Sequence, residues 1–89
     1  MSTPQQLSRE HKQFLIKAEA AQVIDPRHVL RGKWEIRVSV LNQRREPPQS
    51  EPLAIALPEK HADDAEVGMQ KAIEYVVTLI ECKDPTIPW

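Results

Sequence analysis

The sequence predicts a small α+β domain, an antiparallel hairpin sheet packed on one face by two helices in the order α-β-β-α. Three observations carry this reading. Residues 33–41 alternate apolar and polar side chains, residues 63–83 repeat apolar side chains at helical spacing, and residues 4–22 carry a second helical stripe. Helices laid on one face of an antiparallel sheet bury both kinds of pattern.

In chain order, Thr3 and Pro4 offer an N-cap and a first-turn proline, with Gln6 placed for a capping box. Leu7, Phe14, Ala18 and Ala21 then share one stripe at 100° per residue, with His11 and Leu15 on its flank. A helix over about 4–22 follows. Its stripe is narrow and alanine-rich, and Ile16 falls off it. Asp25-Pro26 restarts the chain, and residues 25–32 form a short helical turn ended by Gly32 or an extended lead-in, anchored by Val29 and Leu30.

The first strand is the clearest element. Trp34, Ile36, Val38 and Val40 alternate with Glu35, Arg37 and Ser39, which gives one dry face and one wet face. Leu53, Ile55 and Leu57 repeat the pattern in the second strand. The segment 42–52 holds three prolines and reads as an exposed hairpin loop. Pro58 ends the second strand. Asp63, with Glu66 three residues on, caps a helix over about 63–83 that buries Ala65, Met69, Ala72, Ile73, Val76 and Ile80. Asp84-Pro85 stops it. The ordered part is expected over about 4–83, with residues 84–89 loosely held. Because a two-stranded sheet has only edges, a third strand from residues 28–31 or the tail, or a sheet completed by a dimer, is expected.

Composition narrows the class further. Eighty-nine residues make a single domain whose core is marginal in size. A lone cysteine excludes an internal disulfide, and the polar N-terminal stretch lacks the apolar run of a signal peptide. A cytoplasmic protein without membrane attachment is the expectation.

The near-neutral total conceals a charge split. Residues 1–45 carry nine Lys/Arg against four Asp/Glu, whereas residues 46–89 carry three against nine. Arg27, Arg31, Lys33, Arg37, Arg44 and Arg45 cluster around the first strand with only Glu35 among them. Such a segment can hold phosphates. Yet Glu35 and Ser39 interrupt its strand face, and no aromatic shares that face for base stacking. Packing of the hairpin on the acidic helix leaves chiefly the Arg44–Arg45 loop free for a partner.

The chemistry-bearing residues are few. His11, His28 and His61 lack metal-ligand spacing, and no phosphate loop or catalytic motif occurs. Cys82 falls in the last turn of a helix, where the dipole disfavours a thiolate nucleophile. Gly68 lies mid-helix beside Ala72 and Tyr75, a flank suited to close packing on the first helix, to a dimer contact or to a ligand groove. Trp89 ends a tail that is expected to pack on its own domain or to be disordered, with insertion into a partner's pocket as the alternative.

These readings describe a small bacterial-type accessory or regulatory protein that acts by protein–protein interaction or self-association. It is expected to be neither an enzyme nor a cofactor or metal carrier. Its expected contact residues are Arg27, Arg31, Arg37, Arg44, Arg45, Gly68, Tyr75 and Trp89. The first alternative is nucleic-acid binding through residues 27–45, and the second is an enzyme whose site assembles at an oligomer interface.

Overall fold

The computed structural model describes residues 5–23 and 32–89. Among them the order is five strands followed by one helix: β1 Gln5–His11, β2 Phe14–Gln22, β3 Trp34–Asn42, β4 Leu53–Ile55, β5 His61–Ala62 and α1 Ala65–Glu81. The sheet is antiparallel in the order β1-β2-β3-β4, and β5 pairs with the start of β3 beyond β4. The α+β class stands, but with one helix instead of two.

The expected first helix is a β-hairpin. Its two strands join through Lys12-Gln13, and they supply the extra strands that the tail or residues 28–31 were expected to add. The period-two set Phe14, Ile16, Ala18 and Ala20 is fully buried, so Ile16, which fits no helical stripe, has a place in the core. Lys12 takes a positive φ of 55°, a conformation usually given to glycine or asparagine. The expected capping residues Thr3 and Pro4, and the segment 24–31 with Val29 and Leu30, lie outside the described residues.

β3 forms where its alternation places it, and β4 occupies the start of the second predicted strand. Ile36, Val38 and Val40 face the helix with the buried residues of β2. The opposite sheet face exposes Lys17, Glu19 and Arg37 beside the half-buried cross-strand pair Leu15–Leu41.

The helix buries the side chains its periodicity predicts, plus Gly68. Its cap sits one residue later than expected. Asp64 accepts from Val67 N at 2.9 Å, while Asp63 forms an ion pair with Lys33. At the other end Lys83, with φ 54°, turns the chain, and Asp84 N donates to Leu79 O at 3.0 Å in a Schellman closure.

The last residues pack where a loose tail was expected. Ile87 and Pro88 are buried, and the Trp89 ring meets Phe14 edge-on at a centroid distance of 5.3 Å. Such a T-shaped contact suits the ring quadrupoles. Asn42 ties this end together. Its backbone N donates to Gln49 Oε1 at 2.5 Å, its Nδ2 donates to Pro88 O at 2.8 Å, and its Oδ1 accepts from Arg44 N at 3.0 Å. A buried amide with its donors and acceptor satisfied carries little desolvation penalty.

Candidate protein-interaction surfaces

The fold disperses the expected contact residues. Arg27 and Arg31 lie outside the described residues. Arg37 projects from the open sheet face, where its guanidinium meets Glu35 Oε1 at 3.4 Å and stands opposite Glu19. Lys33 is taken by Asp63 near the start of α1. Arg44 and Arg45 are exposed past the far end of β3, separated from Lys33 by a nine-residue strand. At roughly 3.3 Å per residue that strand spans about 30 Å. The described cations therefore form no single basic stripe.

Gly68 and Tyr75 do come together. Both line a groove of 440 Å³ between the first half of α1 and the segment 57–64. Ile36, Leu57, Ala62 and Val67 supply apolar walls, while Lys33 and Lys71 share the rim with Glu59, Asp63 and Asp64. Gly68 serves packing on the sheet, because the partner helix expected for it is absent from the described residues. A Cβ there would lie 2.8 Å from Ala62 Cβ and 2.8 Å from Ile36 Cδ1. Trp89 sits at the opposite end of the helix against Phe14, with 48% of its surface exposed.

The two sheet edges differ sharply. On one side the outer strand is broken. β4 has three residues, β5 has two, and residues 56–60 between them contain Pro58. Short pieces and proline are ordinary ways to blunt an edge. On the other side β1 runs seven residues without proline or glycine, and no described strand pairs with its outer edge. Sequence reading missed this edge by placing it inside a helix. The signal that could have found it is the alternation of Phe14, Ile16, Ala18 and Ala20 in the strand beside it.

The register defines what β1 offers. His11 and Phe14 pair across a two-residue turn, so they form the hydrogen-bonded pair that closes it. Alternation then directs the backbone groups of Leu7 and Arg9 toward β2. Those of Gln6, Ser8 and Glu10 point outward. Their side chains lie on the open sheet face, where Gln6 Nε2 donates to Glu19 Oε1 at 3.3 Å.

Charged contacts fasten the turn of this hairpin to the helix end. Glu81 contacts His11 Nε2 at 2.6 Å and accepts from Lys12 Nζ at 3.2 Å. The hydrogen bond with His11, followed by that from Lys12, lowers the Glu81 carboxyl below its ordinary value. Asp84 is lowered too, first by the Thr86 hydroxyl at 2.6 Å and then by the Thr86 backbone N–H at 2.9 Å. Cys82 is exposed at the helix C-cap.

Among the described residues no cluster of three or more His, Cys, Asp or Glu could hold a metal ion. No described helix is long and apolar enough to cross a membrane. No protein-family model matches the chain, and neither the curated proteins nor the solved structures yield a match.

Proposed function

We propose that this chain is a small protein-interaction domain that works by strand addition at the outer edge of β1, which no described strand pairs. The contrast between the two sheet edges carries the reading: one is short and broken by Pro58, while the other presents the outward backbone groups of Gln6, Ser8 and Glu10. Backbone pairing supplies attraction in this mode, and side chains flanking the edge set specificity. Arg44 and Arg45, exposed just past the end of β3 that adjoins the β1–β2 turn, serve orientation more than affinity.

Capture by the tagged protein, with and without nuclease, tests this reading. Retained partners are expected to survive nuclease and Arg44→Ala/Arg45→Ala, and to be lost with Ser8→Pro. Proline removes an outward N–H that the hairpin itself does not use. Capture abolished by nuclease and by the double arginine variant, but indifferent to Ser8→Pro, overturns it in favour of nucleic-acid binding.

A further inference from the structure

We infer that the strand received by β1 is β1 of a second copy of this chain, paired antiparallel about a two-fold axis through Ser8. This rests on the strand-addition reading and adds the identity and register of the partner.

Antiparallel strands of one sheet related by a two-fold must place residues from the same face opposite each other. That condition admits only registers centred on a residue. Centring on Ser8 places it opposite the partner's Ser8, and Gln6 opposite the partner's Glu10. All three residues with outward backbone groups are then matched, giving two bonds per pair and about six in all. Centring on Leu7 or Arg9 matches only two of the three outward residues on each strand.

Side chains select the same register. About Ser8, each Gln6 amide faces a Glu10 carboxylate, which can accept its N–H. On the helix side, Leu7 lies opposite the partner's Arg9, whose aliphatic stem can cover it. No like charges meet. A centre at Arg9 would place two guanidinium groups opposite each other, and one at Glu10 would do so with two carboxylates, both destabilising. The seven-residue strand is therefore self-complementary at its midpoint. The result is one continuous sheet across both copies, with both helices on the same face.

Purified protein alone provides the test. Sedimentation over a wide concentration range should show a reversible dimer for the wild type and a single chain for Ser8→Pro. Ser8→Lys, which sets two ammonium groups across the axis, should also be a single chain with an unchanged circular-dichroism spectrum. This second variant guards against a folding defect from proline. In a Cys82→Ser background, Ser8→Cys should oxidise to a covalent dimer, because hydrogen-bonded antiparallel partners have Cα atoms about 5.5 Å apart, within disulfide reach. Gln6→Cys, whose position faces the partner's Glu10, should cross-link at least tenfold more slowly.

A wild type that stays monomeric throughout overturns the inference, as does a dimer unaffected by both Ser8 variants. Equal cross-linking at positions 6 and 8 overturns the register. If the wild type is monomeric while Ser8→Pro still abolishes capture of another protein, the second copy is excluded and strand addition stands. If Ser8 substitution alters neither, both fall.

Discussion

The two ends of α1 are fixed to the sheet by opposite means. At the N-terminal end, beside buried Ala65 and Met69 and the Lys33–Asp63 pair, the attachment turns on a steric fit, where the missing side chain of Gly68 lets the helix backbone approach Ala62 and Ile36. At the C-terminal end it is a network. Phe14 meets Trp89, Asn42 joins loop 43–52 to Pro88, and Glu81 reaches His11 and Lys12. A steric fit fails when an atom is added, whereas a network fails by degrees as members are removed. The difference shows which end can tolerate change, and it leaves a groove beside the N-terminal half of the helix.

The largest effect should come from removing the aromatic anchor of the clasped end. Phe14→Ala vacates a side chain that is 1% exposed and is expected to cost about 3–5 kcal/mol, read from urea unfolding. A loss below about 1 kcal/mol would mean that the tail and hairpin do not depend on each other.

Gly68→Ala is next and tests the sense of the comparison. Helix propensity alone would make it stabilising by about 1 kcal/mol. Contacts of 2.8 Å with Ala62 and Ile36 oppose this, since Ile36 is only 3% exposed and has little room to move. Overpacking of about 1–3 kcal/mol should win and leave a net loss of about 1 kcal/mol. Ala62→Gly in the same chain should restore part of it. A stabilised Gly68→Ala protein would show that the helix end can lift off the sheet freely.

The smallest effect belongs to the exposed carboxylates at the C-terminal end of α1. The lowered carboxyls of Glu81 and Asp84 contribute stability that is present above the ordinary carboxylate range. It is lost as pH falls through their depressed folded values. Glu81→Gln should therefore lower the thermal midpoint slightly near neutral pH, with the two proteins converging in acid as wild-type Glu81 protonates. A midpoint difference that stays constant down to acid pH would remove Glu81 from the clasp.

Parts of this architecture could be read from residue order. The alternation from Trp34 to Val40 marks β3, and the spacing of Ala65, Met69, Ala72, Ile73, Val76 and Ile80 marks the buried face of α1. The first hairpin could not be recognised in the same way. Lys12-Gln13 lacks the Gly or Asn chemistry expected of a tight two-residue turn, and Lys12 adopts positive φ all the same. The hairpin's alanines, glutamates and lysines favour helix, so local propensity opposed the observed structure. Buried Ala18 and Ala20 lie on the sheet face under α1, where small side chains bring helix and sheet close. The outer β1 edge, which no described strand pairs, went unread with the hairpin. Asp63 was the expected cap, yet Asp64 takes that place by accepting from Val67 N, while Asp63 pairs with Lys33, a residue thirty positions away that local sequence does not bring near.

By itself, the sequence determined the α+β class, the strand at β3 and the helix that ends the fold. Each rests on a repeat local enough that neighbouring residues enforce it. Tertiary structure alone decided that residues 5–22 form two strands, that Gly68 meets the sheet, that Asn42 and Trp89 close the far end, and which sheet edge no described strand pairs. Those outcomes depend on contacts between residues distant in the chain, which override weak local preference when they bury apolar surface and satisfy backbone hydrogen bonds together.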